Sequence, residues 1–389
     1  MIMQAISLAH VDTIYSADSI EWCPFEGYED SFVCGTYQII KPEEASLHEP
    51  TQLEKKERGE EESDDDDDDD VDEGPSKPTQ RKGRLLLYHV DDDDTLAEVR
   101  RIETPAILDT KWSPKLDDGR PSLGVADAKG HITYYVLDTE TRRLVERQQI
   151  QVDEESTLCL SLDWSHRLDS SSPSSIITSL STGSLAHLIP TPTGYQVDST
   201  WKAHDYEPWI TSFDNWDVNT VWSGGDDCKL KRWDIRETFR PTFVNKNFDA
   251  GVTTITSSPH TPNLLAVGSY DESLRIFDTR SPGEPLTTIA LGGGIWRTRF
   301  HPSSSRKGDI LNACMHDNFK VVRLSSSLIG DDPSLDVAGE GEGGKVVKVF
   351  EDHDSLAYGV DWSRKKDKNG ETLIASCSFY DHSMHLWRG

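Results

Sequence analysis

The chain has 389 residues, with 69 Asp plus Glu against 40 Lys plus Arg and a formal net charge of −29. An excess of acid this large, with no basic run to set against it, argues against a surface for nucleic acid or anionic membrane, which are held by clustered Lys and Arg. Six scattered cysteines without a C-x-x-C pair, an N-terminus (MIMQAISLAHVDTIYSADS) lacking the basic and apolar regions of a secretory leader, and no apolar stretch of spanning length describe a soluble intracellular protein with reduced thiols, expected in the cytoplasm.

Residues 18–37, DSIEWCPFEGYEDSFVCGTY, read as two strands joined at Trp22-Cys23-Pro24. An acidic segment at 41–82, with seven consecutive Asp at 64–70, then interrupts. It has too little apolar surface to offset its ordering entropy, so a solvated, disordered insertion is expected there. RLLLYHV (84–90) and LAEVRRIE (96–103) complete a first four-stranded unit. A second follows as 106–114, 122–127, 131–138 and 143–152, and a third, the most degenerate, as 158–165, 175–181, 184–190 and 194–201.

The next two units repeat one pattern. VWSGGDDCKLKRWDIR (221–236) and AVGSYDESLRIFDTR (266–280) match at Asp227 and Asp271, Leu230 and Leu274, Trp233 and Phe277, Asp234 and Asp278, and Arg236 and Arg280. A self-match at a 44-residue spacing, with strands ending in an aromatic and Asp, is the signature of a WD-repeat blade. A sixth unit opens at GGGIWRTRFHP (292–302) and carries a Gly- and acid-rich loop insertion at 330–344 before its outer strand. The seventh, 357–387, has three strands and lacks a fourth. An uncovered edge there would leave unpaired backbone groups, so QAISLAH (4–10) is expected to supply the missing strand. The fold is therefore all-β, a seven-bladed WD-repeat β-propeller closed by an N-terminal strand, with the whole chain (1–389) as one domain.

Blades four and seven offer His–Ser–Asp–Trp hydrogen-bond chains, His204, Ser223, Asp227 and Trp233, and His353, Ser376, Asp381 and Trp387. These residues, and the aromatics that end the inner strands (Trp22, Trp112, Trp164, Phe300 and Trp362), are expected to be structural.

Two groups fall outside the scaffold. Trp209, Trp296 and Tyr358 each stand four residues before the last residue of an inner strand. That register sets three rings around one channel mouth, either as ordinary packing between blades or as a cage for a cation, each ring worth about 0.5–2 kcal/mol. The turns between second and third strands open on the same face and contain Tyr270-Asp271-Glu272, Met315-His316-Asp317 and Phe379-Tyr380-Asp381-His382. His316 and His382 are free of the structural His position and are general-base candidates. Cys314 would share a side with His316 in an extended strand, as a nucleophile or as a buried structural thiol. No G-x-S-x-G, H-E-x-x-H or P-loop string occurs, so motifs alone describe an interaction platform.

GGGIWRTRFHP (292–302), ACMHDNFKV (313–321) and ASCSFYDHSMHLW (375–387), with the two repeats above, resemble the diphthine methyltransferase family of WD-repeat proteins. The resemblance covers blades four to seven well and the first three weakly. It implies a methyl ester hydrolase of the diphthamide pathway, acting on a modified histidine of translation elongation factor 2 that carries a trimethylammonium and a carboxyl methyl ester. Hydrolysis would free the carboxylate for amidation. The resemblance then gives roles to the residues above. His316 would be the base, paired with an Asp such as Asp271 or Asp381. His382 or Arg297 would stabilise the oxyanion, with Cys314 as nucleophile in the alternative route. Trp209, Trp296, Tyr358, Tyr270 and Tyr380 would hold the cation. No cofactor and no metal are expected, and the protein is expected to be a monomer. Two rival readings stand at this point, a non-catalytic WD-repeat adaptor and a reader of methyl-lysine peptides.

Overall fold

The structure is a computed structural model and describes residues 2–40, 80–138, 140–169, 172–330 and 343–389. Seven antiparallel sheets follow one another along the chain. From inside outward, blade one is Ser16–Trp22, Ser31–Ile40, Gln80–Val90 and Leu96–Pro105. Blades two to five have inner strands Ile107–Trp112, Cys159–Trp164, Ile210–Phe213 and Val252–Ser257. Blade six starts at Arg297–Phe300 and blade seven at Ala357–Trp362, the latter packing against Ser16–Trp22 to close the ring.

Each blade buries its two faces against its neighbours. Seven hydrophobic clusters fill the seven gaps between blades, from the Trp22 and Met384 cluster between blades one and seven to the Trp362 and Phe319 cluster between seven and six. The inner strands are also stitched by carboxylates. Asp361 accepts the backbone N–H of Trp22 at 2.9 Å, Glu21 that of Trp112, and Asp163 that of Phe213 at 2.9 Å. In each case an acid beside one blade's closing aromatic holds the closing aromatic of the next blade. Many of the channel's buried acids are thereby accounted for as structure.

The N-terminal segment does more than fill the open edge of blade seven. Ala9–Asp12 pairs antiparallel with Ser383–Arg388, while Met3–Gln4 adds parallel to Gly344–Phe350 as a fifth strand on blade six. The closing strand thus lies a few residues later than 4–10. Between the two strands the Ser7 N–H donates to Asp352 at 3.0 Å and the Ser7 hydroxyl lies 2.8 Å from His385 Nδ1, which carries the segment from one blade to the next.

The acidic insertion expected at 41–82 lies outside the described residues except for Gln80, Arg81 and Lys82. These three are strand, paired with Ile40, Ile39 and Gln38, and Arg81 donates to the Tyr37 hydroxyl at 2.9 Å. Of the 330–344 insertion, 331–342 lie outside the described residues, and Gly344 already belongs to the outer strand.

Candidate functional site

All seven inner strands enter the channel from the face where the second-to-third-strand turns meet the loops leading into the next blade. Val252 N–H donates to the Gly225 carbonyl at 3.0 Å, Ile295 N–H to that of Ser269 at 3.0 Å, and Ala357 N–H to that of Met315 at 2.9 Å. Four residues before each inner strand's end, one position recurs around this mouth: Asp18, Leu108, Leu160, Trp209, Thr253, Trp296 and Tyr358. The pairing register slips at this level in blades one, two, three, five and seven. Such bulges re-aim a side chain away from the regular alternation.

Aromatic rings form a continuous arc on one side of the mouth. Trp296 is its hub, with ring centroids 4.9 Å from Tyr358, 5.8 Å from Trp209 and 6.1 Å from Tyr270. Tyr358 continues to Phe379 at 4.8 Å, and Phe379 to Tyr380 at 5.0 Å and Tyr37 at 6.1 Å. The two readings of the register therefore combine. Rings this close pack against one another across blades and do not admit a cation between them. The surface open to a ligand is the outer side of the arc, where Trp209, Tyr270 and Tyr358 are half-buried and Tyr380 is 69% exposed.

Beneath the arc Arg297 closes the channel. Its guanidinium reaches across from blade six to the Leu108 carbonyl at 3.3 Å and to Asp109 at 3.7 Å, and it also lies 5.4 Å from the Trp296 ring centroid. Below it, toward the other face, is a cavity of about 380 Å³ lined by charged residues including Lys111, Asp163, Arg167 and Arg299. None of the arc's aromatics lines it. We place the candidate site at the mouth, because the charges of that lower cavity already pair among themselves, Arg167 with Asp163 at 2.6 Å and Lys111 with Asp109 at 2.7 Å.

Over 375 residues the chain is 36% identical to the diphthine methyltransferase of Homo sapiens, covering 93% of this chain and 75% of that protein. Over 405 residues it is 34% identical to the diphthine methyltransferase homolog of Dictyostelium discoideum, covering 96% of each. This chain belongs to the diphthine methyltransferase family. A "WD domain, G-beta repeat" family pattern matches residues 240–278. In fold alone, a chain of the crystal structure of the mitotic checkpoint complex superposes with a TM-score of 0.63 at 16% identity, covering 99% of this chain and 94% of that one.

The strings that carry the resemblance to the diphthine methyltransferase family build the mouth. In GGGIW, a Cβ on Gly293 would stand 2.1 Å from the Cys314 carbonyl oxygen, so only glycine lets this loop pass the blade-six turn and deliver Trp296 to the arc. In blade seven, a Cβ on Gly359 would stand 2.8 Å from the Ile20 backbone nitrogen. That close approach sets Tyr358 beside the blade-one strand bearing Asp18.

Several residues named as candidates from the sequence have other work. Cys314 and His316 do not share a side. The strand ends at Ala313, and Met315 turns with φ 40°, so alternation no longer applies. Cys314 is fully buried in the core between blades five and six, and burial pushes its thiol up to about 12, which fits the buried structural thiol of the two readings. Asp271 accepts from Arg275 at 2.9 Å and from the Ser273 N–H at 3.2 Å, which makes it a turn-holding residue. Asp381 is engaged by Ser378, by the Asp354 N–H at 3.1 Å and by the Ser383 N–H at 3.2 Å. His316 is exposed on the rim, one residue from the Met315 carbonyl that anchors the start of Tyr358's strand. His382 sits in the blade-seven turn with φ 55°, its carbonyl held by the Thr13 hydroxyl at 2.9 Å. Among the described residues no three His, Cys, Asp or Glu side chains gather as a metal site, and no helix is long and apolar enough to cross a membrane.

Sequence reasoning passed over Asp18 and Tyr37, and named Phe379 only as part of the blade-seven turn. Asp18 had a signal available, since it stands four residues before Trp22 as Tyr358 stands four before Trp362. It is 5% exposed, its Oδ1 has no hydrogen-bond partner among the described residues, and burial raises its carboxyl to about 8, with Arg297 lowering and Asp109 raising it.

Proposed function

We propose that this protein is a hydrolase of diphthamide biosynthesis that removes the methyl ester from methylated diphthine on translation elongation factor 2, ahead of the final amidation. It acts alone on that protein substrate, in the cytoplasm, as a monomer and without a cofactor. Family membership supports a diphthine side chain as the substrate. The aromatic arc is the observation that carries the rest: rings from four blades, gathered at one mouth with outer faces open, suit the fixed charge of a trimethylammonium.

Hydrolysis proceeds by direct attack of water on the ester carbonyl carbon, because the buried Cys314 thiol is not ionised at neutral pH. His316, on the rim beside the strand of Tyr358, takes the water's proton as the new C–O bond forms. The negative charge of the intermediate develops on the carbonyl oxygen, with Arg297 or His382 as its stabiliser. The bond to the methoxy oxygen then breaks, and methanol leaves with the proton from His316. Asp271 and Asp381 serve the turns that hold this rim and take no proton.

The test is mass spectrometry of methyl-esterified elongation factor 2 after incubation with the purified chain alone. Loss of one methylene's mass with release of methanol is expected, and His316→Ala in a folded protein abolishes it. Gain of a methyl group from an added donor would reverse the direction of the reaction and sink the hydrolase reading. An unchanged ester, with both proteins demonstrably folded, would leave the non-catalytic adaptor.

A further inference from the structure

The mouth holds two buried polar atoms of opposite character without partners among the described residues, the Asp18 carboxylate Oδ1 and the Trp296 indole Nε1–H. Native proteins leave few such atoms unpaired, because each gives up its hydration for nothing in return. Both stand at the same register of their inner strands, and Tyr358, packed 4.9 Å from Trp296, occupies that register in blade seven, next to blade one. A carboxylate, a donor and a row of ring faces complement a molecule that joins a cationic centre to a carbonyl oxygen.

We propose that Asp18 is the specificity residue of the mouth, its carboxylate taking an alkylated ammonium group while Trp296 Nε1–H donates to an adjacent ester carbonyl oxygen. This rests on the hydrolase reading only for the identity of the natural substrate. The consequence concerns product. An ester beside a quaternary ammonium carries net positive charge, whereas the hydrolysed group is a zwitterion with a new carboxylate beside Asp18. Like charges brought together out of water repel strongly, so the mouth prefers ester to acid and expels what it makes.

The groups that face Asp18 are Arg297 and Asp109 across the channel, Tyr37 and Tyr270, and Tyr358 and Cys377 of blade seven. Burial raises the three tyrosines and the thiol, Tyr270 to about 12, while Asp109 is held low, against its own burial, by Lys111 and Arg297. Glu21, three residues along the same strand, is also raised by burial, to about 7, so the part of a binding inflection near 8 that belongs to Asp18 is the part that Asp18→Asn removes. The carboxyl must lose its proton to meet a cation, and affinity therefore rises with pH through that range.

The experiment titrates the full chain with glycine betaine methyl ester, glycine betaine and tetramethylammonium, followed by tryptophan fluorescence and calorimetry at several pH values. The ester is expected to bind about tenfold or more tightly than the zwitterion, a difference set by one buried charge contact. Asp18→Asn should remove that preference and the rise with pH, Asp18→Glu should restore part of it, and Trp296→Phe should weaken the ester more than tetramethylammonium, which loses only the larger ring face. A folded Asp18→Asn protein with the wild-type preference and pH profile overturns the proposal. Activity on elongation factor 2 separates the two readings. Wild-type hydrolysis with an unchanged KM in Asp18→Asn removes Asp18 and keeps the hydrolase. A cation preference lost in Asp18→Asn, without any ester hydrolysis by wild type, keeps Asp18 and removes the hydrolase.

Discussion

Ser378 stands between His353 and Asp381. In blade four the imidazole meets its acid directly, His204 Nδ1 lying 2.8 Å from Asp227, and the chain continues through Ser223 to the Trp233 indole. In blade seven His353 Nδ1 lies 2.6 Å from Ser378 Oγ, and that hydroxyl donates to Asp381. One more residue has been inserted into the chain, and Asp381 is spent on the blade. Removing the Ser378 hydroxyl leaves the buried His353 Nδ1 without its partner, while Asp381 keeps its backbone N–H donors. Ser378→Ala should therefore lower stability by about 1–3 kcal/mol, read as a drop in urea midpoint, with ester hydrolysis per folded molecule unchanged.

Cys314 supplies a second prediction, because its burial and its raised thiol predict indifference to chemistry. Cys314→Ala should keep its kcat while losing about 1 kcal/mol of stability from the small cavity. Iodoacetamide should not label Cys314 in the folded protein. Rapid labelling together with loss of activity in Cys314→Ala would return the covalent route to consideration.

The fold was legible in the sequence because a propeller repeats its demands. The Asp227 and Asp271 turns, the closing tryptophans and the 44-residue period each restate the same blade, and the unfilled edge of blade seven follows from counting strands. The site was legible only in part. Trp209, Trp296 and Tyr358 stood out because aromatic residues are conspicuous, while Asp18 at the same register passed as one more acid in an acidic chain. The pairing of Cys314 with His316 does not follow from alternation, because the strand ends at Ala313 and the chain turns at Met315 with φ 40°, leaving the thiol in the core and the imidazole on the rim. Which carboxylates would be tied to neighbours is a property of distances between blades, and the linear string does not record it.

The buried histidines predict a loss of stability in acid. Burial lowers His301 and His385 to about 4, and lowers His204 and His353 as well. The unfolded chain takes up protons on these rings below the ordinary histidine value of 6.5, and the folded one does not. Stability from this set is therefore complete above about 6.5 and falls as pH drops toward 4. Urea unfolding at pH 7, 6, 5 and 4 should show midpoints that decline through this interval. A flat profile would mean that these rings are protonated in the folded state.

Asp18 has the opposite sign. Its folded carboxyl, raised by burial to about 8, keeps a proton that the unfolded chain releases near 3.8. Its contribution is present at low pH and is lost as pH rises toward 8. Asp18→Asn should consequently be more stable than wild type at neutral pH, and the gain should be larger at pH 8 than at pH 5 when melting temperatures are compared. A stabilising change that costs ligand preference is the pattern expected of a residue kept for function.

The pairing of Ala9–Asp12 with Ser383–Arg388 has a consequence for how the ring is made. On the ribosome the strand that closes blade seven emerges before blade one, and the edge it must cover emerges only with blade seven. Ala9 meets Leu386 only after nearly every intervening residue has been synthesised. Blades one to six can assemble as they appear, each against its predecessor, but Ala9–Asp12 must wait without its partner until blade seven has been made. The N-terminal segment's side chains suit that wait: Ile2, Met3, Ile6 and Leu8 remain exposed even in the finished ring, so solvent is already their native environment. The final latch is thus a long-range encounter made late, and the slow step of folding should be its closure.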